Sequence, residues 1–162
     1  MSSATEIRLL LPADWHEFRE VRLAALRTDP QAFGSTLEVE RDLGEDSWRA
    51  RLANRAQFAA CSGDAVVGTA GGIASEDGQA AELVSMWVHP SSRGAGVGGL
   101  LVEAVVDWAR QAGFGQLRLW VVEGNSVALR LYLRSGFTRT GNVAPLRPGE
   151  AALEFEMSRS IG

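Results

Sequence analysis

The chain has no lysine; all sixteen of its basic residues are arginine. It also has only one cysteine (Cys61), two histidines (His16 and His89) and one tyrosine (Tyr132). A lone thiol excludes an internal disulfide framework and a cysteine-built zinc site, and two histidines do not make a structural metal centre. No apolar run approaches the roughly 20 residues needed to span a bilayer. The opening residues, Met1-Ser-Ser-Ala-Thr-Glu, lack the basic and apolar regions of a secretory signal, so the expected location is the cytoplasm. The absence of lysine beside abundant Ala and Gly points to codon supply in a GC-rich, bacterial genome.

What is present suits a single globular domain over residues 1–162. That length supports one proper core and is short for two. Apolar residues make up 46% and charged residues 22%, which excludes a disordered or fibrous chain. The formal net charge of −4 argues against a general nucleic-acid-binding surface and mildly favours a cationic partner.

Periodicity and turn chemistry predict the elements. A strand over Glu6–Leu11 precedes a helix opened by Pro12 and Asp14, with Glu17 spaced for a capping box and Thr28-Asp29-Pro30 as its end. Phe33-Gly34-Ser35 reads as a loop and Glu45–Asn54 as a short helix around Trp48 and Leu52. Three strands follow as an antiparallel meander, Gln57–Cys61, Ala65–Ile73 and Ala80–Val88, joined at Ser62-Gly63-Asp64 and Glu76-Asp77-Gly78. The order then changes to helix Leu100–Gln111, strand Gln116–Val122, helix Ser126–Arg134, and strands Phe137–Gly141 and Ala152–Met157. A right-handed crossover makes the Ala80 and Gln116 strands parallel. The expected class is α+β, a mixed and mostly antiparallel sheet of about seven strands with helices on both faces.

The segment Arg93-Gly94-Ala95-Gly96-Val97-Gly98 lies between the third meander strand and the next helix. Alternating glycines let backbone N–H groups converge on one point, and the helix opening there adds the positive end of its dipole. Such a loop holds an anion, most naturally a phosphate or pyrophosphate. Gly94-Ala-Gly96-Val-Gly98-Gly99 also satisfies the dinucleotide fingerprint G-x-G-x-x-G. It lies past mid-chain, however, and lacks an acidic residue at the expected distance, with Glu123 too late. A plain glycine turn capping a helix is the third reading.

A second constellation stands thirty residues on: Asn125-x-x-Ala128-x-x-Leu131-Tyr132-x-x-x-Gly136-Phe137. With Val88-x-Pro90-x-x-Arg93-Gly94-x-Gly96-x-Gly98 before it, the chain resembles the GNAT superfamily of N-acetyltransferases. The resemblance implies an acetyl-CoA-dependent transfer to a primary amine of a small molecule or peptide, by direct attack in a ternary complex, with no metal. It implies that the N–H groups from Arg93 through Gly94, Ala95, Gly96, Val97 and Gly98 to Gly99 hold the pyrophosphate of coenzyme A. Met86, Trp87 and Val88 would pair with the pantetheine arm, and Val88 N–H would serve the oxyanion. Asn125 would begin the next helix as its N-cap or contact that arm beside Ala128.

Tyr132 matches the family tyrosine that protonates or hydrogen-bonds the departing thiolate; the other reading is a packed tyrosine. Glu82 matches a family glutamate acting as base, directly or through water; the other reading is a solvated strand-end carboxylate. An amine of pKa about 10.4 needs such help, since its neutral form costs about 4.6 kcal/mol at pH 7. Phe33-Gly34 and the loop Asn142–Gly149 are expected beside the acceptor. His89 is expected in solvent and Cys61 in the core, while Trp48 and Trp87 are core or pocket residues. Two further possibilities are a non-catalytic acyl-CoA-binding module and a dinucleotide-binding oxidoreductase. A monomer or homodimer is expected.

Overall fold

A computed structural model describes residues 4–162. Seven strands, β1 (Thr5–Leu10), β2 (Ala56–Ser62), β3 (Ala65–Ala74), β4 (Ala81–Val88), β5 (Gln116–Val122), β6 (Thr138–Pro145) and β7 (Leu153–Ser160), form one sheet in the order β1-β2-β3-β4-β5-β7-β6. Every neighbouring pair is antiparallel except β4 and β5. One face carries α1 (Trp15–Thr28), α2 (Leu37–Glu40) and α3 (Glu45–Ala53). The other carries α4 (Val97–Gln111) and α5 (Ser126–Arg134). The predicted α+β class and strand count are borne out.

Four boundaries differ from the sequence reading. Asp14 closes a 3-10 turn over Pro12–Asp14, its carboxylate accepting the Leu11 N–H at 2.8 Å, while Glu17 pairs with Arg8 instead of capping. The one-turn helix α2 has too few residues for a period to be read. Helix α4 starts at Val97, three residues before the predicted Leu100, because the glycines that weaken helix propensity are held in place by the turn before them. Strand β6 extends to Pro145, so Asn142–Pro145 is strand rather than loop and β7 runs on to Ser160.

Each helix layer buries an apolar stripe. Leu101, Val102, Val105, Val106 and Ala109 of α4 pack on Leu117, Leu119 and Met157. In the other layer Phe18, Leu26 and Trp48 are fully buried, with Phe18 and Trp48 edge to face at 5.6 Å. Strand β3 passes under α4 almost bare. A Cβ at Gly72 would stand 2.5 Å from the Trp108 ring, and one at Gly68 2.9 Å from the Trp87 carbonyl oxygen and 3.1 Å from Leu101.

The α1–α3 layer also encloses a charge cluster. Arg22 makes a two-pronged pair with Glu40 at 3.0 and 2.9 Å, and Arg51 reaches the same carboxylate at 2.7 Å. The guanidinium of Arg22 lies over Phe33 and that of Arg51 over Trp48, each 4.9 Å from the ring centre. Burial by itself would raise the Glu40 pKa. The hydrogen bonds and charge of Arg22, with hydrogen bonds from Arg51 and Ser35, outweigh burial and hold it at about 2.

Removing this carboxylate leaves two guanidinium groups without their acceptor. Glu40→Ala is expected to lower unfolding free energy by about 3–5 kcal/mol, measured by urea denaturation at neutral pH. Because the folded pKa is depressed, the contribution is complete above the ordinary carboxylate pKa of 4.5 and is lost as pH falls toward about 2. Glu40→Gln should therefore show a flatter loss of stability across that window than the wild-type protein.

Candidate functional site

The parallel pair β4–β5 is joined only at Ala81–Leu117 and Glu82–Arg118. Beyond these positions the strands part. The divergence coincides with a register shift between β3 and β4 at Thr69/Gly71, where Ser85 takes φ 54°. The shift changes which side chains face which layer. Before it Leu83 packs toward α4; after it Met86 and Val88 do so, and Trp87 turns to the α1 layer. A cleft of about 1280 Å³ opens where the strands separate.

In an antiparallel ladder both backbone groups of a residue point to the same side. His89 N–H donates to Val67 O at 2.8 Å, and Val88 stands opposite Gly68. The N–H and C=O of Val88 therefore point away from β3, toward the cleft. Its carbonyl accepts from Arg93 Nε at 2.9 Å, which leaves the N–H as the group on offer.

The loop after β4 is shaped by two left-handed residues, Gly94 at φ 82° and Gly96 at φ 85°. An L side chain is disfavoured at both positions, and a Cβ there would point into open space. Gly96 is the N-cap of the 15-residue helix α4, so unpaired N–H groups of its first turn face the cleft. These features fit an anionic ligand: a backbone nest, a helix N-terminus and no side chain filling the concavity. At Gly98 a Cβ would come within 2.8 Å of Leu131 Cδ2, so this glycine leaves the room on α4 that the Leu131 side chain of α5 occupies.

The cleft gathers most of the predicted residues. Met86, Trp87, Val88, Arg93, Gly94, Gly96, Val97, Gly98 and Gly99 line one wall, and Asn125, Ala128 and Tyr132 line the other. Phe33 also lines the cleft, beside Asp29, Gln31 and Ala32. Ala95, Gly34 and Glu82 do not reach the lining. Asn125 caps α5, its Oδ1 accepting from Ala128 N–H at 3.2 Å. Tyr132 is 5% exposed and packs against Phe137, and burial raises its pKa above the ordinary tyrosine value of 10.0.

Glu82 lies on the α1 face of the sheet beside Arg118. Burial raises its pKa, the Glu156 charge adds to this, and Arg118 opposes it. Glu154 is raised by burial and by Glu82. Glu156 itself accepts from Thr140 and Asn142 at 2.8 and 2.9 Å.

The other sequence candidates have structural roles. His89 is exposed, and its Nδ1 accepts the Ser91 N–H at 3.1 Å. Cys61 is free and packs at the margin of the α1-side core, and Trp48 is wholly buried. The sequence reading missed two residues. Asp29, read only as a helix terminator, lines the cleft and bonds both Trp87 and Arg93. Arg147, from the β6–β7 connection, donates to the carbonyls of Pro30, Phe33 and Gly34. Both contacts join residues more than fifty positions apart, and no local pattern announces them. Among the described residues no cluster of three metal-ligating side chains occurs, and no helix is long and apolar enough to cross a membrane.

Residues 15–137, from the start of α1 to the residue before β6, match the model of the acetyltransferase (GNAT) family. The chain belongs to that family. A GNAT acetyltransferase from Streptococcus pneumoniae has a similar fold, with a TM-score of 0.81 at 22% identity over 98% of this chain and 100% of that one. The yncA structure of Salmonella typhimurium, solved with its cofactor acetyl-CoA, gives 0.80 at 23% identity over 99% and 95%. A streptothricin acetyltransferase of Streptomyces lavendulae is 33% identical over 110 residues, 67% of this chain and 58% of that protein. A mycothiol acetyltransferase of Thermobispora bispora is 41% identical over 63 residues, 39% of this chain and 21% of that protein. The aligned segments thus span less than two thirds of either curated relative. Membership of the GNAT family leaves no ground for the oxidoreductase reading, since the glycine loop follows the fourth strand of the sheet and not a first βαβ strand.

The close approach at Gly98 can be tested. Gly98→Val places branched carbons against Leu131 and is expected to cost about 1–3 kcal/mol of stability, measured by denaturant unfolding. Gly99→Ala, where a Cβ meets nothing within 4 Å, is the control expected to stay close to wild type.

Proposed function

We propose that the chain is an acetyl-CoA-dependent N-acetyltransferase that modifies a primary amine of a small molecule or peptide by direct attack in a ternary complex. The observation that carries the reading is the cleft between the parted strands β4 and β5, with the glycine nest on one wall and Tyr132 on the other. Acetyl-CoA supplies an activated thioester; the rest is positioning and proton transfer by the chain.

The backbone N–H groups of Arg93–Gly99 hold the pyrophosphate, and the exposed edge of β4 at Met86–Val88 pairs with the pantetheine arm. Val88 N–H, directed into the cleft, receives the negative charge that develops on the carbonyl oxygen. The amine nitrogen forms the new bond to the acyl carbon as the carbon–sulfur bond breaks. The amine proton leaves toward Glu82, and because Glu82 stands off the cleft lining, water carries it. A raised carboxyl pKa makes Glu82 a better proton acceptor than an ordinary glutamate. Tyr132, kept protonated by burial, donates a hydrogen bond to the departing thiolate and retains its proton, since the thiol pKa near 8.5 lies well below that of the phenol. Phe33 and Gly34, braced by Arg147, flank the acceptor. The reading extends to a bacterial, cytoplasmic enzyme working as a monomer or homodimer.

The decisive experiment is a thiol-release assay with acetyl-CoA against polyamines, amino acids, aminoglycosides and short peptides. No release with any amine, together with retained acetyl-CoA binding, would leave a binding module in place of an enzyme. Tyr132→Phe is expected to lower kcat by one to three orders of magnitude with little change in acetyl-CoA affinity; wild-type turnover would remove the phenol from the mechanism. In wild type kcat/KM should rise with pH as Glu82 deprotonates, with its midpoint above the ordinary glutamate value. Glu82→Gln should lose that limb, and a pH profile that keeps it would assign the base elsewhere.

A further inference from the structure

Asp29 sits where the α1 layer meets the end of β4. Its backbone is fixed on both sides: its N–H closes α1 on Ala25 O at 2.9 Å, and its carbonyl accepts from Ala32 N–H at 3.0 Å. The carboxylate therefore occupies a place set by the helix end and not by the glycine loop. One of its oxygens, Oδ2, accepts from Trp87 Nε1 at 2.8 Å and from the Arg93 guanidinium at 2.6 Å. The same guanidinium uses Nε to bond Val88 O at 2.9 Å. Arg93 is thus held at two points, one on β4 and one on α1, at the first residue of the glycine loop.

The Asp29–Arg93 pair sits at the rim, with 22% of the Asp29 side chain and 38% of the Arg93 side chain exposed, while the indole that shares the carboxylate belongs to Trp87, a buried core residue. A carboxylate on the wall of a cleft that takes an anion is unfavourable unless it is already neutralised. Here it is matched by a guanidinium and an indole N–H. What the arrangement accomplishes is orientation. It keeps the Val88 carbonyl engaged, turns the chain at Arg93 toward Gly94, and so sets the direction in which the loop amides point before a ligand arrives. Binding to a loop already in its final direction avoids the entropy of ordering it.

We propose that Asp29 is a positioning residue for acetyl-CoA, acting through Arg93 to preorganise the pyrophosphate loop, with Trp87 as the second anchor of the same carboxylate oxygen. The inference rests on the acetyl-CoA reading of the cleft given above. It assigns Asp29 no contact with the reacting atoms.

The test is a set of five proteins: wild type, Asp29→Ala, Asp29→Asn, Arg93→Ala and the double variant Asp29→Ala/Arg93→Ala. Acetyl-CoA Kd is measured by calorimetry, and kcat and both KM values by thiol release. Asp29→Ala is expected to weaken acetyl-CoA binding about 3- to 10-fold, the effect of freeing one ordered side chain and its loop. The loss should appear in the Kd and KM for acetyl-CoA, with kcat and the acceptor KM within about twofold of wild type. Asp29→Asn keeps an acceptor oxygen for Arg93 and should recover part of the loss. The double variant should bind within about twofold of Arg93→Ala, because Asp29 has nothing left to act on.

Multiplicative losses in the double variant would overturn the inference, as would a change confined to kcat or to the acceptor KM. Tighter binding in both Asp29 variants would also overturn it, by showing that the carboxylate only repels the ligand. Should Asp29→Ala fail to fold, the comparison of Asp29→Asn with Arg93→Ala decides, the first being expected to lose less. Absence of acetyl-CoA binding by the wild-type protein would remove the reading of the cleft, and the inference with it; binding by wild type with equal Kd in Asp29→Ala would remove the inference alone.

Discussion

Two parallel strands that begin as neighbours and then separate create a physical difficulty: the backbone groups along the parting have no sheet partner. In this protein the parting follows the Glu82–Arg118 pair, and the irregular stretch around Ser85 allows it. A register shift of one residue exchanges the two faces of a strand. That exchange sends Met86 and Val88 toward α4 and Trp87 toward α1, and it leaves the free polar edge of Val88 on the cleft. The glycine loop, the start of α4 and the approach of α5 all take their positions from where β4 ends. A straight β4 paired with β5 along its length would have closed the space between the two walls.

The second organising element is electrostatic and lies on the opposite face. Glu40 draws α1, α2 and α3 together through Arg22 and Arg51, and the arginines spread over Phe33 and Trp48. A planar guanidinium can pair with a carboxylate and lie on a ring at the same time, which an ammonium does poorly. The lysine-free composition is therefore compatible with the interior of this layer. The consequence for the site is that Phe33, which lines the cleft, is held on one side by Arg22 and through its carbonyl by Arg147.

Much of this could be read from the sequence. Alternation and turn residues located all seven strands, because β2, β3 and β4 are joined by short turns whose glycines take positive φ at Gly63 and Gly78. The two motifs that meet in the cleft were legible as Arg93–Gly98 and Asn125–Phe137, since each is local and chemically distinctive. What stayed hidden was long-range or irregular. The bulge at Ser85 has no signature in Leu83-Val-Ser-Met86, the extension of β6 through Asn142–Pro145 contradicts its loop-like composition, and Asp29 and Arg147 acquire their roles only when distant segments meet. Glu82 was singled out by its position on β4, but the face on which it stands, with Glu154 and Glu156, depends on the strand register.

The bare stretch of β3 beneath α4 has a mechanical meaning. Gly72 lies under Trp108 near the far end of the helix, and Gly68 lies under Leu101 near the end that opens on the cleft. The helix is thus a beam resting on two low supports, and its height over the sheet is fixed by residues that never meet a ligand. A methyl added at Gly72 would bear on the Trp108 ring of the helix, and one at Gly68 would meet the Trp87 carbonyl of β4 before the Leu101 tip, on the strand that leads to the loop amides. Strand β3 acts as the levelling screw of the site.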